Sequence, residues 1–255
     1  MSAPRFIECT ACRDLLISED FDGGFDRWGQ GEPIRLVNNP AVWGADQPQI
    51  SLLGFSKGET QNKAMREVKA GTLPLESVPF KGMRKRLGWM LEALGIRSPV
   101  KSVDGLFGID EHEIRSSSVI RCSISARIAP DKYSYKLSDI LAADTASGGK
   151  VKEVISRCVR LHAAPASAGQ TFVMLGLDKD LIEWSRNAFA AVLGPIQKVT
   201  ETTYRTATTS WAHVAHPSGN LTDPQYQRWC NGEGLKPKVF WARSEVSFRR
   251  QTSGG

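Results

Sequence analysis

The stretch QISLLGFSKGET, residues 49–60, decides the fold that the sequence predicts. It opens with a short apolar run, residues 49–54, which ends on Gly54 and passes directly into the polar turn Phe55-Ser56-Lys57-Gly58-Glu59. A run of this length that stops at a glycine and polar residues is typical of a buried strand. Open parallel sheets place their ligand sites beside such strand ends, so this turn is a candidate site.

Strands and helices alternate along the rest of the chain. The Gly- and Asp-rich stretch 21–33 and the polar stretch 128–149 predict loops, and the second of these reads as an insertion. Hydrophobic periodicity predicts the regular elements. The predicted strands are 49–54, 117–125, 171–177 and 210–220, and the predicted helices are 82–95, 150–163, 181–193 and 223–232. This alternation favours a three-layer α/β/α sandwich with a central, mostly parallel four-stranded sheet.

Length and composition fit one globular domain over residues 1–255, with a frayed tail at 251–255. The chain has 255 residues, of which 41% are hydrophobic and 24% are charged, and this balance excludes wholesale disorder. No apolar run approaches the ~20 residues that span a bilayer, and the N-terminus lacks the pattern of a signal peptide. We therefore expect a soluble, cytoplasmic, monomeric protein with no membrane partner.

The charge balance favours a polyanionic partner such as nucleic acid, although many basic proteins bind none. Lys and Arg number 33 against 27 Asp and Glu, which gives a formal net charge of +6. The basic residues that could contact phosphates could equally form a solvated face. They are Lys57, Arg84, Lys85, Arg86, Lys236, Lys238, Arg249 and Arg250.

A second polar turn, His216-Pro217-Ser218-Gly219, follows the last predicted strand. A histidine in this position can act as an acid or donate a hydrogen bond to a developing anion. The spacing fits a histidine that merely caps the turn equally well. The first turn, GFSKGET, lacks the spacing of a phosphate-binding P-loop, which excludes that class of nucleotide hydrolase.

Taken in order, these motifs resemble those of the uracil-DNA glycosylase superfamily, and in particular its iron–sulfur branches, families four and five. LLGFSKGETQ is similar to the first motif, a strand that ends in Gly before a water-positioning loop, and AHPSG resembles the second motif, whose loop wedges into DNA. VPFKGMRKRLGWMLEALGI is similar to the segment in which Phe and Gly precede the first long helix. TFVMLGL resembles the strand before the second half of the domain. The resemblance covers roughly residues 5–230.

The resemblance implies hydrolysis of the N-glycosidic bond of a base that is flipped out of DNA, which leaves an abasic site. His216 would donate to the departing base, and Ser56 and Glu59 would place the attacking water. Glu59 could be the base in this reaction or a solvated loop acid. The residues that would line the base pocket are Gly54, Phe55, Phe80 and Ser118, with Phe80 stacked on the base. The residues that would press against the DNA are Pro217, Ser218 and Gly219.

The iron–sulfur branches carry a Cys-x-x-Cys near the N-terminus, a third Cys after a strand and a fourth on the following helix. Cys9, Cys12, Cys122 and Cys158 match this order, and the predicted insertion accounts for the long interval between the last two. The resemblance therefore implies a structural [4Fe–4S] cluster. A zinc ion on the same four thiolates and a set of buried cysteines without metal are the alternatives. Cys230 is left over as a core residue, and a chain without an export signal is not expected to carry a disulfide framework.

Departures from the family pattern bear on the substrate. Uracil-specific members carry an acidic or amide residue in the first motif, where this chain has Phe55 and Ser56, and many read uracil with an Asn where this chain has Ser118. We therefore expect a damaged or modified base, in particular a modified pyrimidine such as the hypermodified cytosine of phage DNA, which would make the enzyme antiviral. The alternatives are a uracil-repair glycosylase, a hydrolase of free nucleosides and a non-catalytic, zinc-containing nucleic-acid-binding module.

Overall fold

The computed structural model describes residues 4–16, 19–29, 32–96, 102–163, 169–218 and 221–233. Thirteen strands and six α-helices lie within these ranges. The strands are β1 (Arg5–Phe6), β2 (Glu19–Asp22), β3 (Phe25–Trp28), β4 (Ile34–Val37), β5 (Ala41–Gly44), β6 (Ile50–Gly54), β7 (Ile114–Ser118), β8 (Ser123–Ala129), β9 (Lys132–Ser134), β10 (Thr171–Leu175), β11 (Gln197–Lys198), β12 (Thr203–Arg205) and β13 (Ser210–Val214). The helices are α1 (Glu59–Lys69), α2 (Arg84–Ala93), α3 (Leu137–Ala146), α4 (Lys150–His162), α5 (Lys179–Leu193) and α6 (Asp223–Cys230).

The larger sheet has eight strands in the order β1-β5-β7-β6-β10-β13-β12-β11. Its four middle strands pair in parallel, and the strands at both edges are antiparallel. The prediction of a four-stranded sheet is therefore wrong in its strand count. The observed sheet is also mixed, whereas a mostly parallel sheet was predicted. The edge strands have only two to four residues, which is too short for a hydrophobic period to appear in the sequence.

A second, antiparallel sheet has the order β2-β3-β4-β8-β9. Three predictions for this part of the chain are wrong: two expected loops and one expected strand. The expected loop 21–33 contains most of the β2–β3 hairpin, and the expected insertion loop 128–149 contains β9 and α3. The strand expected at 117–125 is in fact the end of β7 and the start of β8, joined by a bend at 119–122. The apolar pattern runs through this bend because both strands are buried, although they belong to different sheets.

Helices cover both faces of the larger sheet, as the predicted three-layer arrangement requires. On one face, Leu52 and Val173 pack in a core with residues of α1, α2 and α6. On the other face, Leu53 and Met174 pack in a core with residues of α3, α4 and α5. Neighbouring residues face opposite cores because side chains alternate along a strand. No helix in the described part of the chain is both long and apolar enough to cross a membrane.

All four predicted helices are present, as α2, α4, α5 and α6, with boundaries that differ by a few residues. Helix α1 begins at Glu59, the last residue of the predicted polar turn, and no helix was predicted over residues 59–69. Its buried face consists of Asn62, Ala64 and Met65, which is too small and too polar a stripe to indicate a helix by periodicity. Because α1 begins at Glu59, the turn that follows β6 is confined to residues 55–58.

Asn39, which is fully buried, joins the two sheets and α1. Its Nδ2 donates to Asn62 Oδ1 at 2.6 Å and to Ser123 Oγ at 3.0 Å. Its Oδ1 accepts a hydrogen bond from the backbone N–H of Ser123 at 2.9 Å. Buried amides of this kind are costly to leave unpaired, so Asn39 fixes the relative placement of α1 and β8.

We expect Asn39→Ala to lower the free energy of unfolding by about 2–4 kcal/mol, because it leaves several buried partners without a hydrogen bond. Chemical denaturation measures this difference. Asn187→Ala, an exposed position on α5, is the matched control and should change stability by less than ~0.5 kcal/mol. Equal effects of the two substitutions would contradict the assigned role of Asn39.

Candidate functional site

A cavity of about 630 Å³ lies at the carboxyl edge of the parallel strands. Parallel strands deliver their carboxyl ends to one edge of the sheet, and ligand sites form in the crevice there. The structure therefore brings together both polar turns of the sequence analysis. The predicted site residues that line the cavity are Gly54, Phe55, Ser56, Glu59, Phe80, Ser118, His216 and Ser218.

His216 presents a defined tautomer to this cavity. The backbone N–H of Ser218 donates to His216 Nδ1 at 3.1 Å, and the Ser218 hydroxyl lies 2.6 Å from the same nitrogen. Since Nδ1 accepts, the proton of the neutral ring resides on Nε2. Burial lowers the pKa of His216 from its ordinary value of 6.5, which favours the neutral ring. His216 is thus a neutral hydrogen-bond donor at the cavity wall.

Two helices hold the turn that carries His216. The hydroxyl of Tyr226 on α6 donates to Ala215 O at 3.1 Å. Nη1 of Arg86 on α2 donates to Pro217 O at 3.2 Å, and its Nε pairs with Asp223 at 2.7 Å. The turn is thereby fixed from both sides, which is the preorganisation that a catalytic donor requires.

The first polar turn supplies Ser56 and Glu59 to the same cavity. Ser56 is half-buried, whereas Glu59 is exposed and is the first residue of α1. The carboxylate of Glu59 thus lies at the positive end of the α1 dipole. An ionised carboxylate and a hydroxyl at one cavity wall can orient a water molecule.

Aromatic side chains form much of the apolar wall. Phe80 stacks on Phe107 with ring centroids 5.8 Å apart, and Phe55 meets Trp184 edge-on at 5.4 Å. Phe80 has a backbone φ of +55°, which is rare for a bulky residue. Such strain persists where the surrounding structure fixes it, often at functional sites. Only 7% of Phe80 is exposed, so little of this residue is accessible from the cavity.

The cavity also contains residues that sequence reasoning missed. Trp43 comes from β5, and Tyr135 and Leu137 come from the stretch that was expected to be an insertion loop. The hydroxyl of Tyr135 accepts from Asn62 Nδ2 at 3.4 Å. Ser116 and Ser117 join Ser118 at the wall, and the run of three serines in one strand was the only signal for them.

The basic residues of the two motifs do not form a free phosphate-binding face. Lys57 is 1% exposed, so it does not fit the expected phosphate contact. Arg84 pairs with Asp104 and donates to Pro79 O and Glu76 O, and Lys85 pairs with Asp223 at 3.2 Å. Of the residues that were expected to press against the DNA, Pro217 is buried and Ser218 is exposed. The remaining predicted DNA contacts lie outside the described residues: Gly219, Lys236, Lys238, Arg249 and Arg250.

The four predicted metal-ligating cysteines lie in one region. Cys12, Cys122 and Cys158 are buried in the same core, and Cys9 is half-buried. Burial, followed by the charge of Cys158, raises the pKa of the Cys122 thiol well above its ordinary value, with Cys12 and Cys9 as further contributors. The other three thiols are therefore close enough to Cys122 to affect its pKa. Within the described ranges, no group of three or more His, Cys, Asp or Glu side chains lies in an arrangement that could hold a metal ion.

Contacts from α4 anchor the N-terminal cysteine pair. Arg157, next to Cys158, donates to Ala11 O at 2.5 Å and pairs with Asp14. The backbone N–H of Arg121 donates to the Cys158 thiol, which opposes the rise that burial causes in its pKa. These contacts tie the Cys-x-x-Cys segment and the loop before β8 to one helix.

Two buried cations accompany the cysteines. Lys57 and Arg121 are 1% and 5% exposed, and neither forms an ion pair with a carboxylate in the part of the chain that the structure describes. Burial lowers the pKa of Lys57 to about 8, and the thiols of Cys122 and Cys158 counteract this shift. Among the described residues, Nε and Nη1 of Arg121 find no hydrogen-bond partner. An uncompensated buried charge costs several kcal/mol, so this region fits an anionic group.

The buried positive charge is the feature of this region that bears on a metal group. Four thiolates around Zn²⁺ or around a [4Fe–4S] core carry surplus negative charge. Lys57 Nζ also lies 5.9 Å from the centroid of the Trp43 ring, but a cation–π contact at this distance contributes only ~0.5–2 kcal/mol. Trp43 thus does not replace a counter-charge.

No protein-family model and no curated protein matches the chain. Among solved structures, the chain is similar to the crystal structure of wild-type Pedobacter heparinus SMUG2. This likeness covers 82% of this chain and 77% of the other, at 14% sequence identity and a TM-score of 0.40. A similarity of this extent carries no argument about activity, so the functional conclusion depends on the geometry of the cavity.

We expect nitrogen NMR of the histidine side chains to show His216 protonated on Nε2 at pH 7, with a pKa below 6.5. Because the pKa is lowered, the neutral ring persists as the pH falls through 6.5 and is lost only below it. In Ser218→Ala the backbone donor remains, so the tautomer should be unchanged. Protonation of Nδ1 at pH 7, or a pKa above 6.5, would contradict this geometry. His112, an exposed histidine, is the internal control.

Proposed function

We propose that the chain is a monofunctional DNA glycosylase. It hydrolyses the N-glycosidic bond of a base that is flipped out of the DNA and leaves an abasic site. The observation that carries this proposal is the single cavity that joins the neutral Nε2–H donor of His216 with Ser56 and Glu59. Cleavage of a glycosidic bond needs these two parts, a donor for the departing base and a polar wall that places water at the sugar.

In this mechanism, His216 Nε2–H donates to the negative charge that develops on the leaving base. Ser218 keeps that proton on Nε2 because it occupies Nδ1 from both its backbone and its hydroxyl. Glu59, with Ser56 beside it in the same turn, orients the water that attacks the sugar carbon and accepts a proton from it. Phe80 and Phe55 provide apolar ring surface for the base, which a flipped nucleotide requires in exchange for its lost stacking.

The proposed substrate is a damaged or modified base, in particular a modified pyrimidine. Ser118 lines the cavity with a hydroxyl that can both donate and accept, so it does not impose the pattern of one base edge. The cavity of about 630 Å³ extends to Tyr135 and Leu137, which leaves room for a substituent on the base. This supports a hypermodified cytosine of phage DNA as substrate, and a role in antiviral defence.

The proposed cofactor is a [4Fe–4S] cluster held by Cys9, Cys12, Cys122 and Cys158, with zinc as the alternative. Its role would be structural, because the four thiols belong to an N-terminal segment, a loop between the two sheets and α4. The two buried cations beside the thiols support an anionic group at this place.

Mass spectrometry of the bases released from a panel of DNAs tests the proposed activity. The panel contains uracil, hypoxanthine, hydroxymethylcytosine, glucosylated hydroxymethylcytosine and unmodified DNA. We expect release of one modified pyrimidine, and a ~10²–10³-fold slower release by His216→Ala, since a preorganised donor contributes about this factor. Glu59→Gln should also slow the reaction, and His112→Ala should not.

The outcomes separate the candidate functions. Release of uracil alone would assign the enzyme to uracil repair. Binding of DNA without release of any base would support the non-catalytic binding module. Unchanged rates in both His216→Ala and Glu59→Gln would show that the assigned roles are wrong.

Metal analysis of the purified protein tests the proposed cofactor. We expect iron and acid-labile sulfide in equal amounts, about four of each per chain, and a loss of both in Cys122→Ser. Cys230→Ala, which removes a buried thiol outside the proposed site, is the matched control and should retain them. Zinc without iron would favour the alternative, and a protein without either metal would refute the site.

A further inference from the structure

A second cavity, also of about 630 Å³, lies at the opposite edge of the larger sheet from the candidate functional site. Its lining includes Pro48 shortly before β6, Gln170 directly before β10 and Arg115 near the start of β7. These positions are at the amino ends of the parallel strands, whereas the first cavity lies at their carboxyl ends. Among the described residues none lines both cavities, so the second cavity is a separate site.

The Arg121 side chain reaches the second cavity along helix α4. Its backbone N–H donates to the thiol of Cys158, whereas its Nη2 donates to the backbone oxygen of His162, the last residue of α4, at 3.4 Å. The side chain therefore extends along one helical turn and places its guanidinium beside His162. Both residues line the cavity, and only 5% of Arg121 is exposed.

Three buried nitrogens at this place lack a hydrogen-bond partner within the described ranges. They are Nε and Nη1 of Arg121 and Nε2 of His162. Buried polar groups in native proteins are paired with protein, water or a bound ion, so unpaired ones call for a partner. All three atoms are covered by their neighbours, and a ligand would reach them after a change of side-chain rotamer, which is common at binding sites.

Positive charge exceeds negative charge around the second cavity. Arg5, Arg115 and Arg121 line it together with Asp46 and Glu8. Asp46 pairs with Arg5 at 2.6 Å and also favours the charge of Arg115, while Glu8 is exposed. No carboxylate forms an ion pair with Arg115 or Arg121 in the described part of the chain. The carboxyl end of α4 carries about half a negative charge, which these two guanidiniums outweigh.

The effect of this charge is visible at His162. Burial, followed by the charges of Arg121 and Arg115 and then of Lys57, lowers the pKa of His162 to about 4. The two guanidiniums therefore act on the same point, and each also opposes the charge of the other. Like charges that converge in a half-enclosed cavity favour an anion between them.

We propose that the second cavity binds a phosphomonoester, that is, a phosphate group with an organic group attached. A guanidinium pairs bidentately with phosphate oxygens, and a phosphomonoester is mainly a dianion at pH 7 because its second pKa is about 6. Two negative charges match Arg115 and Arg121, which have no carboxylate of their own. A monocarboxylate would match only one of them.

The rest of the lining provides for the attached organic group. Gln170 and Ser51 are joined by a hydrogen bond of 2.8 Å and add polar groups to the cavity. Phe6 and Leu161 add exposed apolar surface. The volume lies within the range of small-molecule sites and exceeds what a phosphate group alone fills. The proposed site depends neither on the proposed reaction nor on a metal at the cysteines.

Isothermal titration calorimetry tests the site with three probes: 2′-deoxycytidine 5′-monophosphate, inorganic phosphate and uncharged deoxycytidine. We expect the monophosphate to bind with a Kd below ~1 mM and inorganic phosphate to bind roughly tenfold more weakly or worse. Deoxycytidine should not bind to this site, because it lacks the charged group. Equal affinities for the monophosphate and for deoxycytidine would contradict a site for phosphate.

Variants of Arg121 test its role. Arg121→Met should weaken binding of the monophosphate by roughly tenfold or more, and Arg121→Lys should weaken it as well because an ammonium lacks the bidentate fork. Arg160→Met changes an exposed arginine of α4 and is the matched control, with affinity as in the wild type. If Arg121→Met does not fold, Arg121→Lys carries the test. Wild-type affinity in a folded Arg121→Lys and in Arg121→Met would overturn the proposal.

NMR of the histidine side chains locates the bound monophosphate. Its titration should shift the signals of His162 and leave those of His216, which lines the first cavity, unchanged. A shift of His216 without His162 would place the ligand in the first cavity and refute the second site, as would the absence of any saturable binding. Base release from DNA is measured separately, so failure of the proposed glycosylase activity and failure of this site are distinguishable.

Discussion

The parallel pairing of β6 and β7 continues past the ends of both strands, and the candidate site depends on this continuation. Gly54 O and Phe55 O accept hydrogen bonds from the loop that follows β7. These bonds hold the turn after β6 next to Ser118, so both line the same cavity at the edge of the sheet. They add to the contacts of Phe55 with Trp184 and of Lys57 with Arg121 O, which also hold the residues between β6 and α1.

Buried polar groups fix the two sheets in relation to this edge. Asn39 bonds to α1 and β8, and Asn62 extends the same network to Asp22 and to Tyr135 at the cavity. Each of these groups would be costly to bury alone, and together they satisfy one another. The network therefore lets the second sheet contribute Tyr135 to a cavity that the first sheet defines. It also explains why a polar helix face packs in the interior.

Hydrogen bonds and charge define the chemistry of the site more than the volume of the cavity does. Ser218 selects one tautomer of His216, and α2 and α6 fix the turn in which both residues lie. On the far side of the sheet edge, Lys57 and Arg121 place positive charge beside four thiols. The two regions share the turn after β6, because Ser56 lines the cavity and the neighbouring Lys57 bonds to Arg121 O.

The sequence by itself determined the parts of this protein that depend on local pattern. Periodicity identified four helices and the strands β6, β10 and β13, because each carries a continuous apolar signal. Polar residues at the ends of β6 and β13 located the cavity, since parallel strands end at one edge. The tertiary structure alone decided the eight-stranded sheet, the second sheet and the contribution of Tyr135, because these come from short strands paired over long distances in the chain. It alone decided the direction of Lys57, because its place in a polar turn gave no sign that its side chain is buried and bonds to Arg121 O, which is 64 residues away.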